Sequence, residues 1–385
     1  RASAQPGRLR FALRWQAEID GLDSASTFMC GDRLVVGTPR CVLALGRDNG
    51  EVLWIRETRP AASLMAGNVL LRLNGEGLVE LCDVSDGEPY AECRITPRTG
   101  GPPLGLLAGG QSSPPVAILG ADRDQLVAID LRNGETRWRY RSRGRGAFKL
   151  RRAGRLLLVV SGDNTLDAVD VASGEPVWRW ADPGKLVMPP AAAGDVVVAV
   201  SGQPGSSGAS LMGFDLFGGQ QIWRHELDAG PSAGPIATDR IAVVPITGQG
   251  RGRLVAVNPV DGTPRWSAID PGMNEGGACL SVDDRLVFNA PSGQICGIAS
   301  DTGEVVWQHA LADPVRDDVP RRLEPILRGG ALFVPSAHTH VLRPADGMRS
   351  SGPVGGELVP DFLRVDERGW LYVAEESGLI EAHAP

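Results

Sequence analysis

The sequence of 385 residues predicts an all-β fold made of nine similar units. Tryptophan recurs at a nearly constant spacing, and short apolar runs alternate with turn residues throughout the chain. The 50 Gly and 29 Pro are many for helical packing, and no long amphipathic helix pattern is present. A regular internal repeat favours one closed array over several separate domains.

The tryptophan spacing sets the number of units. Successive gaps are 39, 84, 40, 45, 43 and 41 residues, and 93 residues separate the last repeat Trp from the first across the chain ends. The two longest distances are close to double, so one Trp is missing from each, and nine units of about 43 residues follow. Eight units remain the alternative if one degenerate unit is not a true blade. The repeat tryptophans are Trp15, Trp54, Trp138, Trp178, Trp223, Trp266 and Trp307.

Each unit contains a hairpin with one turn glycine. In the best-formed unit an alternating strand ends at Asp130, the turn contains Gly134, and the returning strand carries Trp138. Gly134 is expected at positive φ, which other residues adopt at a cost. Two units, 78–91 and 340–351, keep the glycine and have no indole. The turn glycines are Gly50, Gly87, Gly134, Gly174, Gly219, Gly262, Gly303 and Gly347.

Another strand precedes each hairpin, and a shorter apolar strand precedes most of those. Four antiparallel strands per repeat form the blade of a β-propeller. The chain ends with a strand at 379–384 that lacks a partner, and it begins with one at 9–16 that carries Trp15. We expect these strands to pair in a shared ninth blade, which removes two exposed edges. A single propeller domain would then cover 1–385, with 1–8 as a flexible tail.

The repeat tryptophans are predicted to be structural. Burial of an indole of 150–250 Å² at ~25 cal/mol per Å² stabilises the fold by roughly 4–6 kcal/mol, and adjacent blades need similar contacts. The blades around 61–93 and 323–352, which lack the indole, are therefore expected to be the least stable.

Charge and hydropathy argue against two kinds of partner. A net charge of −7 and a pI of about 5.4 give no general attraction to nucleic acid. No apolar stretch approaches 18 residues, so no membrane-spanning helix is predicted. The chain begins at Arg1 with neither Met nor a signal sequence, and we interpret it as a trimmed or excised piece.

The six cysteines are compatible with disulfides, for which they allow fifteen connectivities, or with free thiols. On the predicted hairpins, Cys82 and Cys93 are several residues out of register, and so are Cys279 and Cys296. A disulfide needs Cα atoms within about 7 Å. Buried free thiols are therefore favoured. The other two cysteines are Cys30 and Cys41, and no spacing indicates zinc.

The hairpin pattern resembles the repeat of the PQQ-type, quinoprotein-like β-propellers. Three units match it best: Asp130/Gly134/Trp138, Asp170/Gly174/Trp178 and Asp215/Gly219/Trp223. The family includes quinoprotein dehydrogenases, an outer-membrane assembly lipoprotein propeller and propellers tethered to bacterial kinases. Most of its members have eight blades, so nine is a departure.

The resemblance does not extend to the dehydrogenase site. Those enzymes place an adjacent Cys-Cys pair over the quinone and bind Ca²⁺ with Glu, Asn and Asp, and this chain has no adjacent cysteines. We therefore predict a protein that is not an enzyme and has no cofactor; a PQQ-dependent dehydrogenase is the less favoured alternative. The family favours the cell envelope or periplasm, and the cysteines leave the cytoplasm open.

Binding is expected where connections are long. Connections between the second and third strands of a blade, and between blades, emerge at one end, and variable loops on a rigid scaffold are common binding sites. We therefore predict a protein-binding scaffold or sensor module, monomeric, with an unidentified protein partner; a small ligand in the central channel is the alternative. The long connections are 94–115, 141–150, 310–322, 203–210 and 248–252.

One cationic segment is a candidate patch for an anionic partner. Nine cations and no acid occur between 137 and 155, and alternate residues of a strand share a face. The alternative is a solvated outer strand paired with carboxylates of the next blade. The predicted patch residues are Arg139, Arg141, Arg143, Arg145, Lys149, Arg151 and Arg152.

Two closely spaced histidines are candidate metal ligands. His338 and His340, two residues apart in a predicted strand, could chelate a metal, but no third ligand is identifiable, so ordinary surface or channel histidines are favoured and no metal site is predicted. His225 and His309 each follow a repeat Trp by two residues and are expected at blade edges.

Overall fold

The computed structural model describes residues 10–385 except 59–61, 97–104, 111–112, 122–123, 144–147, 163, 182–184, 187, 249–250, 270–277, 290–293, 312–323, 337 and 356–357. The described residues contain β-strands, turns and bends, with no helix. The strands form nine antiparallel sheets, which we call blades 1 to 9 in chain order. The prediction of an all-β fold with nine blades of the β-propeller type is confirmed.

The chain separates into two compact units. The first comprises Arg1–Thr58, Pro271–Ser300 and Glu304–Pro385, and it contains blades 1, 7, 8 and 9. The second comprises Arg59–Asp270 and Asp301–Gly303, and it contains blades 2 to 6.

The second unit has five consecutive blades. Blade 2 consists of β6 (Ala62–Ala66), β7 (Val69–Leu73), β8 (Leu78–Asp83) and β9 (Pro89–Arg94). Blade 3 consists of β10 (Gly105–Gly110), β11 (Ser113–Ala121), β12 (Gln125–Asp130) and β13 (Thr136–Arg141). Blade 4 consists of β14 (Lys149–Ala153), β15 (Leu156–Val160), β16 (Thr165–Asp170) and β17 (Pro176–Ala181).

Blade 5 consists of β18 (Ala191–Ala193), β19 (Val196–Ser201), β20 (Ala209–Asp215) and β21 (Gln221–Leu227). Blade 6 consists of β22 (Gly230–Pro231), β24 (Ala242–Gly248), β25 (Arg251–Val257) and β26 (Pro264–Ile269), with the short β23 (Ile236–Ala237) also paired to β24.

The first unit has four blades. Blade 1 consists of β2 (Asp23–Cys30), β3 (Arg33–Gly37), β4 (Cys41–Gly46) and β5 (Val52–Glu57). Blade 7 consists of β27 (Ala278–Val282), β28 (Arg285–Asn289), β29 (Gln294–Ala299) and β30 (Val305–Ala310). Blade 8 consists of β31 (Ile326–Arg328), β32 (Ala331–Pro335) and β33 (Thr339–Leu342), and blade 9 consists of β34 (Phe362–Val365), β35 (Leu371–Ala374), β36 (Leu379–Ala384) and β1 (Ala12–Glu18).

The two chain ends share blade 9, as predicted. β1 pairs antiparallel with β36, in a register that sets Ala12 opposite Ala384 and Glu18 opposite Leu379. The strand begins at Ala12, later than the predicted start at 9, and the predicted tail at 1–8 lies outside the described residues. Because β36 would otherwise be an open edge, the N-terminal strand satisfies its backbone groups.

Blade 8 departs further from the repeat than the sequence indicated. Its unit was expected to lack only the indole, yet no fourth strand forms among its described residues. Isolated bridges from Leu342 to Arg349 and from Thr339 to Val354 take its place, and Gly347 keeps a positive φ of 66°. The turn therefore persists although the strand after it does not.

The hydrophobic core of each unit lies between neighbouring blades. In the second unit, Leu71 and Leu81 of blade 2 pack with Leu119 and Val127 of blade 3, and all four are almost inaccessible to solvent. Third strands such as β12 and β16 are buried on both faces, because each blade is covered by one neighbour on either side.

The tryptophans join each blade to the next within a unit. Trp138 lies opposite the small residue Ala128 of its own blade, and its ring packs on the turn glycine Gly174 of the next blade. Its indole N–H donates to the carbonyl of Val171, 2.8 Å away. Gly174 thus has a positive φ of 75° and no space for a Cβ, which would lie 2.5 Å from the indole.

The same contact recurs at five other repeat tryptophans. The indole N–H groups of Trp15, Trp178, Trp223 and Trp307 donate to the carbonyls of Arg47, Leu216, Pro259 and Pro344 at 2.8 to 2.9 Å. Trp266 packs on Gly303 in the same way. Blade 2 has Ala91 at this position, and the hydroxyl of Tyr90 donates instead to the equivalent carbonyl, that of Leu131.

All six cysteines are free thiols. Cys82 and Cys93 are three positions out of register, since Val79 faces Cys93, as predicted. The prediction for the other pair was wrong: Cys279 and Cys296 both face Phe288 from opposite sides, so they are in register and a whole strand separates them. Two strand spacings of about 4.8 Å exceed the reach of a disulfide.

Candidate functional site

The two ends of the blades differ strongly. Calling the strands of a blade A to D in chain order, the A–B and C–D turns lie at one end and are similar in most blades. In six blades the A–B turn contains two residues, at 31–32, 67–68, 154–155, 194–195, 283–284 and 329–330, whereas blade 9 has five residues at 366–370 and blade 6 has four at 238–241. Most C–D turns contain five residues, at 47–51, 84–88, 131–135, 171–175, 216–220 and 300–304.

Local hydrogen bonds explain the uniform turns. The Asp130 carboxylate accepts a hydrogen bond from the backbone N–H of Arg132 at 2.9 Å, and its carbonyl accepts one from the N–H of Gly134 at 2.9 Å. Asp170, Asp215 and Asn258 cap their turns in the same way. The side chains of these residues are thus engaged in hydrogen bonds within their own turns.

The opposite end varies in length. D–A connections range from two residues at 228–229 to fifteen at 311–325, and B–C connections from two at 249–250 to seven at 202–208. Two predicted long loops were wrong. The stretch 94–115 contains all of β10 and the start of β11, and three of the five residues of 248–252 belong to β24 and β25. Most of 310–322 lies outside the described residues.

The candidate cationic patch is divided between two blades. Arg139 and Arg141 are exposed on β13, the outer strand of blade 3, and Arg143 is exposed just after it. Lys149, Arg151 and Arg152 lie on β14, the first strand of blade 4. β13 and β14 are edge strands at opposite ends of their sheets. The candidate patch therefore does not lie on a single strand, and Arg145 lies outside the described residues.

Arg137 and Arg141 of the outer strand are paired with carboxylates of their own blade, whereas the alternative interpretation expected carboxylates of the next blade. Arg141 lies 3.5 Å from the carboxylate of Asp124. Arg132 and Arg137 both hold the buried carboxylate of Asp130. The hydrogen bonds from Arg132, followed by those from Arg137, keep the pKa of Asp130 below its usual range.

A second contact position, not recognised from the sequence, lies two residues after each Trp. Tyr140 of blade 3 donates a hydrogen bond to the buried carboxylate of Asp167 in blade 4, which also pairs with Arg179. Burial and this carboxylate raise the pKa of Tyr140. We call the contact between two neighbouring blades a seam. In the next seam, between blades 4 and 5, Trp180 packs edge-on against Phe214, with ring centroids 4.8 Å apart.

The equivalent seam between blades 5 and 6 is open. His225 occupies the position of Tyr140 and Trp180, and Val255 and Ser267 form the cross-strand pair that Asp167 and Arg179 form in blade 4. A groove of about 470 Å³ results, lined by residues 225–228, 253, 255 and 264–267. The sequence signal was the residue two positions after the repeat Trp, which varies from Tyr140 and Trp180 to His225, Arg56 and Ala268 and becomes informative only when the seams are compared.

Two variable connections lie at one end of this groove. Residues 228–229 are the D–A connection after blade 5, and Arg253 of β25 lies beside them through its ion pair with Asp228. The seven-residue connection 202–208 is tied to them, because the N–H of Gly230 donates to the carbonyl of Ser206 at 2.8 Å. We take this end of blades 5 and 6 as the candidate functional site.

Comparison with known proteins identifies the family. The family model described as outer membrane protein assembly factor BamB matches residues 42–232, 122–278 and 250–350, which together cover most of the chain. The chain belongs to this family. The resemblance to PQQ-type propellers is thereby confirmed.

Individual BamB relatives are distant. Outer membrane protein assembly factor BamB of Vibrio cholerae serotype O1 is 26% identical over 131 residues, which is 32% of this chain and 33% of that protein. The crystal structure of BamB from Moraxella catarrhalis superposes with a TM-score of 0.58 at 14% identity over 98% of both chains. Sqt1 of Saccharomyces cerevisiae has a TM-score of 0.58 at 10% identity, over 97% of this chain and 99% of its own. Both structural matches establish the fold alone.

Neither a cluster of metal-ligating side chains nor a membrane-spanning helix is present among the described residues of this BamB family member. Within the described ranges, no group of three or more His, Cys, Asp or Glu side chains is arranged to hold a metal ion. His338 lies in the connection before β33, and only His340 is in the strand, so the expected strand pair was wrong. Among the described residues, no helix is long and apolar enough to cross a membrane.

Proposed function

We propose that this chain is a non-catalytic scaffold that binds another protein through the end of its blades where the B–C and D–A connections emerge. The observation that carries the proposal is the contrast between the two ends. Most A–B and C–D turns are short and the C–D turns are capped by their own side chains, whereas the connections at the other end differ from blade to blade. Variable connections on a rigid scaffold are where recognition usually resides.

Family membership supports this proposal. The family and its Vibrio relative are named outer membrane protein assembly factors, which is a role in assembly and not in chemical conversion. By analogy, we propose that the partner of this chain is another protein of such an assembly.

Site-specific crosslinking tests the proposed end directly. A photo-reactive amino acid is placed at Ser207, exposed in the 202–208 connection, or at Ser173, exposed in a uniform C–D turn of the neighbouring blade. On irradiation in the producing cells, Ser207 is expected to give a discrete protein adduct and Ser173 none. Equal adducts at both positions, or adducts at Ser173 alone, would contradict the proposal.

A separate titration tests the non-catalytic part. Addition of pyrroloquinoline quinone with Ca²⁺ is expected to give no saturable heat in calorimetry, because the chain lacks the adjacent cysteines of the dehydrogenases. Micromolar binding would instead support the dehydrogenase alternative.

A further inference from the structure

The groove between blades 5 and 6 has a counterpart in each of the two preceding seams, and both counterparts are filled by an aromatic ring of the chain itself. Tyr140 fills the seam between blades 3 and 4, where it contacts Asp167 and Arg179. Trp180 fills the next one against Phe214. The seam between blades 5 and 6 has the same backbone register, but His225 stands at the position of that ring and is part of the groove wall.

Small side chains leave this seam open. The cross-strand pair beside the ring is Asp167 with Arg179 in blade 4 and Met212 with Arg224 in blade 5. In blade 6 it is Val255 with Ser267. The groove of about 470 Å³ is within the size range of ligand sites in proteins.

The groove walls suit an aromatic ring. Leu227, Val255, Pro264 and Trp266 supply apolar surface, and Trp266 is partly exposed whereas the other repeat tryptophans are 7 to 8% exposed. An aromatic ring gains from offset or edge-to-face contact with an indole beyond the area it buries.

The charges around the groove favour an acidic neighbour for that ring. Asp228 is paired with Arg253, and Glu226 lies 2.6 Å from Arg224 and accepts a hydrogen bond from Ser210. Arg265 is exposed and lies within ion-pair distance of no described carboxylate, although its charge, after the hydrogen bonds from Thr263, helps to lower the pKa of Asp261. Its guanidinium is therefore available to a carboxylate from outside.

We infer that this groove binds an extended segment of a partner protein in which an aromatic side chain is flanked by acidic residues. The aromatic ring lies in the groove beside His225, in the seam that corresponds to those filled by Tyr140 and Trp180, and the carboxylate pairs with Arg265. The groove opens at the variable end of the blades, so the inference rests on the proposed scaffold function and names the chemistry of the partner segment.

A synthetic peptide tests the groove. The probe is the pentapeptide Ser-Glu-Trp-Glu-Ser with an N-terminal fluorescein, and binding to the whole chain is followed by fluorescence anisotropy. We expect saturable binding that weakens about tenfold or more when Ala replaces the Trp of the peptide, and that also weakens when Lys replaces both Glu residues.

A substitution in the chain itself can fill the groove, and the same substitution in another blade serves as its control. Ser267→Trp places a ring in the seam and is expected to weaken binding of the probe about tenfold while leaving Tm near that of the wild type. Gln308→Trp makes the same change at the equivalent exposed position of blade 7 and is expected to bind as the wild type does.

Three results would overturn the inference: no saturable binding of the probe to the wild type, equal binding of the Ala peptide, or unchanged binding to a folded Ser267→Trp protein. If Ser267→Trp fails to fold, Arg265→Ala serves instead, with an expected loss of the preference for Glu over Lys peptides, and a retained preference would count against the inference. Crosslinking at Ser207 is independent of these outcomes, so failure of the groove and failure of the scaffold function are distinguishable.

Discussion

At the scale of single residues, the turn glycine and the repeat tryptophan act as one contact spread over two blades. The glycine adopts positive φ to close its own turn, and its missing side chain makes room for the indole of the preceding blade. The two requirements are separable, because other glycines of the fold have positive φ and open space around them. Gly154 is one of these, with a φ of 58° and no atom within 4 Å of its would-be Cβ.

Substitution of these glycines separates the two costs. Gly154→Ala is expected to destabilise the protein by about 1–2 kcal/mol through its backbone conformation. Gly174→Ala carries a similar cost and, in addition, a clash with Trp138, for a further loss of roughly 1–3 kcal/mol. Urea denaturation of both variants gives the difference. Equal destabilisation would show that the indole moves aside without cost.

Asp130 is expected to make stability depend on acid. Because its folded pKa is depressed by Arg132 and Arg137, its stabilising contribution is complete above the unfolded value of about 3.9 and is lost as the pH falls below it. Asp130→Asn should be less stable at pH 7, by about 1–3 kcal/mol, and should lose less stability between pH 5 and pH 2. Denaturation at a series of pH values tests this, and identical acid dependence in both proteins would refute it.

At the scale of strands, the N-terminal strand β1 completes a blade that the C-terminus begins. Trp15 on this strand is buried, packs against Gly50 and donates to the carbonyl of Arg47. Its loss would therefore expose the edge of β36 and remove the contact between blades 9 and 1, which lie in the same unit.

Deletion of residues 1–16 tests the role of β1. We expect the truncated protein to unfold or to oligomerise through the exposed edge, since removal of a buried Trp alone costs about 3–5 kcal/mol. Deletion of 1–8, the predicted tail, is the control and should leave Tm unchanged. Differential scanning calorimetry and size-exclusion chromatography give both readouts. Unchanged thermal stability after the longer deletion would contradict the shared-blade architecture.

At the scale of the whole molecule, the blades are similar but not equally supported. Blade 2 lacks the indole, yet Tyr90 replaces its hydrogen bond to the next blade. Blade 8 lacks both the indole and a regular fourth strand. Buried apolar contacts and complete strand pairing set local stability, so the blades should open with different free energies.

Hydrogen exchange tests this ranking. Amides of blades 2 and 8 are expected to exchange faster than those of blades 4 and 5, with blade 8 the fastest because its described residues form no regular fourth strand either. Comparison of the second strands β7, β15, β19 and β32, which are central in every blade, provides matched positions. Uniform protection across these strands would contradict the expectation.

The sequence by itself determined the repeat. The spacing of Trp138, Trp178 and Trp223, the turn glycines, and the unpaired strand at each end were enough for fold class, blade number and the shared blade. These features are local or periodic, so a linear pattern records them. The small residue opposite each Trp, such as Ala128, was also visible in the sequence, but its purpose depends on the indole that covers it.

The side-chain contacts between blades follow only from the tertiary structure. Whether Tyr140, Trp180 or His225 fills its seam depends on side chains about 30 residues later in the chain, on a different sheet. The division of the cationic segment between β13 and β14 likewise depends on sheet order and not on sequence proximity. The groove beside Trp266 is a difference in side-chain volume between equivalent seams, and volume becomes meaningful only once the neighbours are in contact.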